Sequence, residues 1–129
     1  SPVDPMSPTL SYLFVFITVF LTVYGQIVIK WQVVAAGAMP EATPDRIWFL
    51  AKLMLNPWII SGLLAGLLAA VSWMAAMTKL ELSHAYPFMS LAFIGVLVAS
   101  ALVFHEPVNA WKVGGLVLIT LGIIVGSQG

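Results

Sequence analysis

Few side chains in this sequence are able to do chemistry, and most of them lie within stretches otherwise built from apolar residues. Thr22, Gln26 and Lys30 recur every four residues, so on a helix they form one stripe, with Tyr24 and Gly25 beside it. That stripe is expected to face the interior of a helix bundle. A cation at the end of a line of hydrogen-bonding groups is what an anionic head group needs. The competing reading is that Lys30 merely extends its ammonium to water while Gln26 bonds a neighbouring helix. A second set, Tyr86, Ser90, Phe93, Leu97 and Ser100, repeats at spacings of four and three and again shares a face. Tyr86 and Ser90 suit a polar ligand, and equally suit packing between helices.

His84, His105, Glu81 and Glu106 all fall at the ends of apolar stretches. None has a spacing that argues for a metal site. Glu81 and Glu106 flank opposite ends of one stretch, too far apart to act as paired carboxylates. Helix termination and contact with interfacial water are their expected roles. The sequence carries no G-x-S-x-G, P-loop or H-E-x-x-H pattern. No catalytic residue, metal or cofactor is expected, and the chain is not read as an enzyme.

The elements that position these groups follow from composition. The chain is 61% hydrophobic and only 8% charged, with a mean hydropathy of +1.06, whereas soluble domains carry about a quarter charged residues. Four apolar stretches, at about 9–36, 57–78, 85–104 and 108–127, each reach the roughly 20 residues that cross the hydrocarbon of a bilayer. Polar groups inside such spans are costly, which makes them functional candidates. The expected fold is an all-α membrane protein, a four-transmembrane-helix bundle occupying residues 6–129 as a single domain. Ser1 to Pro5 read as the remnant of a tag, with Met6 as the native start. Ser7 and Thr9 are available as caps for the first span, and Pro8 suits its first turn. Lys30 is expected near one interface because the first span is longer than the hydrocarbon is thick.

Between the first two spans, Thr43-Pro44-Asp45-Arg46 followed by an apolar run predicts a short capped helix at about 44–55. It is too short to span, and Trp48, Phe49, Arg46 and Lys52 suit a helix lying in the membrane interface. Gly62 and Gly66 in the second span form a G-x-x-x-G pair, a spacing that lets helices approach closely. The later joints are short, so consecutive spans should be antiparallel neighbours, with both termini on one side. Arg46, Lys52 and Lys112, with Lys30 nearby, collect on the side of the first and third loops, against Lys79 on the side of the termini. So small a bias admits insertion in either orientation, as an antiparallel dimer requires. Net charge is zero and basic runs are lacking, which argues against a nucleic-acid partner. Without cysteine there is neither a disulfide framework nor thiolate chemistry.

Several motifs carry a family resemblance. Gly115-Leu-Val-Leu-Ile-Thr-Leu-Gly122-Ile123 is similar to the G-x-x-L-I-x-x-G-V dimerisation pattern of small multidrug-resistance proteins. Thr22-Val-Tyr-Gly25-Gln-Ile-Val-Ile-Lys30 resembles the first helix of that branch of the drug/metabolite transporter superfamily, except that Thr22 stands where proton-coupled exporters keep a glutamate. Lys79-Leu-Glu-Leu-Ser83-His-Ala85-Tyr86-Pro87-Phe-Met-Ser90-Leu91 resembles the K-L-x-L-S-x-A-Y and A-Y-P-x-x-S-L patterns of the two small subunits of the 4-amino-4-deoxy-L-arabinose-phosphoundecaprenol flippase. His105-Glu106-Pro107-Val108 resembles the H-E-P-V of one of them.

The resemblance implies a flippase of the bacterial inner membrane that moves a polyprenyl-phosphate-linked sugar between leaflets as a homodimer or as a heterodimer with a related small subunit. Lys30 would then attract the phosphate; Gln26, Tyr86, Ser90 and Thr22 would line the path of the head group; Gly115 and Gly122 would hold the dimer. Two other functions stay open: export of small cationic or amphipathic compounds, and a non-transporting scaffold subunit of a membrane glycosyltransferase system.

Overall fold

A computed structural model describes residues 8–129, so the expectations placed on residues 1–6 and on Ser7 as a cap lie outside the described residues. The described chain is all helical: α1 (Pro8–Ala36), α2 (Thr43–Met54), α3 (Pro57–Met77), a single turn α4 (Leu82–Ala85), a 3₁₀ segment (Tyr86–Ser90), α5 (Leu91–Val103) and α6 (Ala110–Gly126). Leu82–Val103 reads as one apolar stretch, and it, α1 and α3 are long and apolar enough to cross a membrane. α6 is apolar but shorter.

Local chemistry sets the helix ends. Prolines occupy the first turns of α2 and α3, where a missing N–H leaves no gap in the helical ladder. Asn56 caps α3, its side-chain oxygen accepting from the Trp58 N–H at 2.8 Å, while its amide nitrogen donates to the Gln32 side chain at 2.9 Å. Asn109 caps α6 by accepting from the Lys112 N–H at 2.9 Å. Gly37, at φ 87°, takes the left-handed turn that releases the chain from α1. The expected side-chain cap of α2 does not form. Thr43 and Pro44 are already inside the helix, and its N-cap position falls on Ala42. The Arg46 guanidinium instead ties the start of α2 to the preceding loop by donating to the Pro40 carbonyl at 2.9 Å.

The third stretch is not one α-helix. Pro87 has no N–H to give and would clash with the carbonyl four residues back, so the chain tightens into 3₁₀ geometry before resuming as α5.

Packing is centred on α1. Hydrophobic transfer cannot hold helices together in lipid, so close backbone approach has to. At the α1–α3 crossing a Cβ added to Gly25 would sit 3.0 Å from the Gly62 carbonyl oxygen, and one added to Gly62 would sit 3.3 Å from the Gly25 oxygen. Thr18 reinforces this contact, donating to the Phe14 carbonyl at 2.8 Å with the Ala69 carbonyl of α3 at 3.3 Å. On another side of α1, Gly95 of α5 receives Val23, whose methyl would lie 2.8 Å from an added Cβ. Val15, Ala76 and Ala85 are fully buried where α1, the end of α3 and α4 meet, with Phe14, Trp73, Met77, Leu80 and Phe88 around them.

Of the expected consecutive neighbours, the first and second spans pack together and the third and fourth meet, whereas the second and third do not pair closely. α3 and α5 both lean on α1, and α6 meets the chain mainly at the 3₁₀ segment, with little contact along α5. Gly126 lies near Pro87, whereas Trp111 at the other end of α6 is 90% exposed. The two glycines Gly115 and Gly122 face open space, with nothing within 4 Å of an added Cβ.

Candidate functional site: two polar clefts and a charged mouth

The polar groups of the spans collect in three places. The first is a cleft of about 230 Å³ between α1 and α3, lined among others by Thr22, Gly25, Gln26, Gly62 and Gly66. Gly62 is consumed by the helix crossing; Gly66, one turn further along α3, has nothing within 4 Å and leaves the cleft open. Thr22 and Gln26 are thereby brought together, as the four-residue spacing implies.

Lys30 leaves that line. Each step of four residues turns the direction by about 40°, so two steps carry Lys30 about 80° around from Thr22, to the side on which Val23 meets Gly95. There its ammonium stands 3.8 Å from the carboxylate of Glu106, in the joint that follows α5. The lysine side chain is 53% and the glutamate side chain 38% exposed, so the pair is a loose, water-accessible one that contributes about 0–1 kcal/mol to stability. Glu106 reaches this position through a sharp turn. His105 adopts φ 54°, and the Glu106 N–H donates to the Ser100 carbonyl at 3.2 Å.

Glu106 also stands at the mouth of a trough of about 280 Å³ whose walls are Phe93, Val96, Leu97 and Ser100 of α5 and whose second charged group is Lys112 of α6. Lys112 is held by donating from its ammonium to the Pro107 carbonyl at 2.7 Å. Phe93, Leu97 and Ser100, grouped on one face by their spacing, do share this wall. The pairing of Lys30 with Glu106 is the feature that sequence reasoning missed. Its signal was present: both residues fall on the side of the first and third loops.

Tyr86 and Ser90 lie toward the far end. Tyr12 of α1 shares a 2.8 Å hydrogen bond with the His84 ring and packs edge-on against Phe88, which fixes the level of the Tyr86–Ser90 segment. The 18 residues from Tyr12 to Lys30 span about 27 Å along a helix, close to the roughly 30 Å of hydrocarbon. The chain by itself therefore does not gather Lys30 and Tyr86 into one site. Tyr86 is 64% exposed, packs edge-on against Trp73, and borders a broad open depression of about 780 Å³ with Glu81, Leu82 and Ser83. Among the described residues, no group of three His, Cys, Asp or Glu side chains is placed to hold a metal ion.

Three apolar helices of spanning length, exposing large aliphatic and aromatic side chains along their outer faces, define a multi-pass membrane protein. Over 113 residues, 84% of this chain and 89% of its relative, it is 32% identical to the probable 4-amino-4-deoxy-L-arabinose-phosphoundecaprenol flippase subunit ArnE of Pseudomonas aeruginosa (strain UCBPP-PA14). Over 121 residues, 91% of this chain and 96% of the relative, it is 28% identical to the probable ArnF subunit from Photorhabdus laumondii. An ArnE relative from Aeromonas salmonicida is 29% identical over 101 residues, 77% of this chain and 82% of its own. The chain belongs to this family of small flippase subunits. No family model matches it, and no solved structure matches it.

Proposed function

We propose that this chain is a four-span subunit of a flippase that carries an undecaprenyl-phosphate-linked sugar of the aminoarabinose type between the leaflets of the bacterial inner membrane. The observation that carries this reading is the 32% identity over 84% of the chain to a protein named as such a subunit. The geometry supports it. Flipping needs a polar path for the head group while the prenyl tail stays in lipid, and it needs no covalent chemistry. Thr22 and Gln26 supply hydrogen-bonding groups within an apolar span, and Lys30 supplies a cation near one end. Among the described residues no carboxylate lines the α1–α3 cleft, where drug/proton antiport would place its proton-exchanging group.

The working unit in this reading is a dimer, either of two copies or of this chain with a related small subunit, joined through Gly115 and Gly122 of α6. Two protomers inserted in opposite orientations put the Tyr86 and Ser90 end of one beside the Lys30 end of the other. The groups that one protomer separates then line a single path. α2 lies in the membrane interface, with Ile47, Trp48 and Leu50 exposed for contact with lipid. The test is leaflet exchange of undecaprenyl-phosphate-linked aminoarabinose in proteoliposomes, alone and with a related subunit. Exchange is expected from the native chain and a loss of at least about tenfold from Lys30→Met, the order expected for a charge-assisted phosphate contact. Full exchange by Lys30→Met would remove the phosphate role of that lysine, and no exchange by the folded native chain in either setting would overturn the reading.

A further inference from the structure

The trough between α5 and the start of α6 has the chemistry of a lipid with a two-signed head group. Its wall is apolar over Phe93, Val96 and Leu97, a rise of about 6 Å from first to last, then gains a hydroxyl at Ser100 and ends in Glu106 and Lys112. Lys30 reaches the same carboxylate from α1 at 3.8 Å. The mouth therefore holds one anion between two cations. A simple phosphate site has no use for the glutamate, which repels a phosphodiester and occupies the lysine meant to receive it. An amino sugar joined through a phosphodiester explains it, because that head group carries an ammonium as well as a negative phosphate.

We propose that this trough is a head-group subsite in which Glu106 receives the sugar ammonium, Lys30 and Lys112 flank the phosphodiester, and Phe93, Val96 and Leu97 line the first isoprene units. The assignment rests on the flippase reading above and names the part of the substrate that the site selects. Lys30 and Glu106 screen one another. The incoming lipid exchanges that single ion pair for two, one at each end of its head group, so neither charge is left uncompensated. Lys112 swaps its Pro107 carbonyl for a phosphate oxygen. A lipid lacking the nitrogen satisfies the lysines but leaves Glu106 without a cation, and is disfavoured for that reason.

The experiment compares two probes on the full chain in lipid nanodiscs: a prenyl-phosphate-linked 4-amino-4-deoxy-arabinose and the corresponding arabinose lipid without the nitrogen. The native chain should prefer the aminated lipid by about tenfold, the order of one charge-assisted hydrogen bond. Glu106→Gln should reduce that preference to within about twofold, Glu106→Asp should keep most of it, and Lys112→Met should weaken both lipids alike. The ratio between probes is the readout, because a merely structural role for Glu106 would lower both affinities together. A preference unchanged in Glu106→Gln, or absent from the native chain, overturns the subsite and leaves the flippase reading standing. Binding of neither lipid by the folded native chain overturns both.

Discussion

Replacing Gly25 by alanine tests whether the α1–α3 crossing depends on backbone contact. The added Cβ would lie 3.0 Å from the Gly62 carbonyl oxygen, a few tenths of an ångström inside ordinary contact. Its neighbour is main chain, which has no rotamer to turn away, so the helices must separate locally. Overpacking of this kind costs about 1–3 kcal/mol. The same substitution at Gly66 meets nothing within 4 Å. Both positions lie inside helices, so both gain the same helix propensity of about 1 kcal/mol. The difference between the two variants therefore isolates the contact: Gly66→Ala is expected to be the more stable by about 1–3 kcal/mol. Unfolding by SDS titration from mild detergent micelles, followed by far-ultraviolet circular dichroism, measures it. Equal stability, or a more stable Gly25→Ala, would refute the argument that backbone approach at Gly25 and Gly62 sets the crossing.

Other perturbations address the helix ends and the open face. A Cβ at Gly115 or Gly122 meets nothing within 4 Å in the protomer, so with leucine at either position stability of the monomer should hold within about 0.5 kcal/mol while cross-linked dimer is lost. Retention of full dimer would move the interface elsewhere. Asn56→Ala removes both the α3 cap and the bond to Gln32, an expected cost of about 1–2 kcal/mol in the same unfolding assay; Asn56→Asp should keep the cap and recover part of it. His105 holds φ 54° without being glycine. His105→Gly should be neutral or stabilising by up to about 1 kcal/mol and His105→Val should destabilise by about 1–2 kcal/mol, the order of the two midpoints being the check.

The helices were legible because proline and glycine punctuate the apolar runs: Pro57 begins α3, and Gly37 follows the end of α1. The 3₁₀ segment was not, because Tyr86, Ser90 and Phe93 at spacings of four and three read as one continuous α-helical face. The G-x-x-x-G of α3 was half informative. The face of α3 buried against α1 follows Gly62, Ala65 and Ala69, so Gly62 is used and Gly66, turned off that face, opens the cleft. Reading Thr22, Gln26 and Lys30 as one straight stripe neglected the drift of a 3.6-residue helix. That drift sends Lys30 to Glu106 and leaves the other two facing α3. The separation of Lys30 from Tyr86 required depth, which local spacing does not encode.

The attachment of α6 near one end makes it a lever. Its 17 residues form an arm about 26 Å long, and a rotation of about 10° at the Pro87 end displaces the Ala110 end by roughly 4–5 Å, about the thickness of a hydrocarbon chain. Lys112 rides on that end and Glu106 stands beside it, so the gap that would admit a tail in the proposed subsite would be governed by that angle. A second protomer docked on Gly115 and Gly122, as proposed, would grip the arm along its length. In the proposed dimer, assembly and access to the trough would thus be coupled mechanically, and stiffening the joint from Phe104 to Asn109 would alter both together.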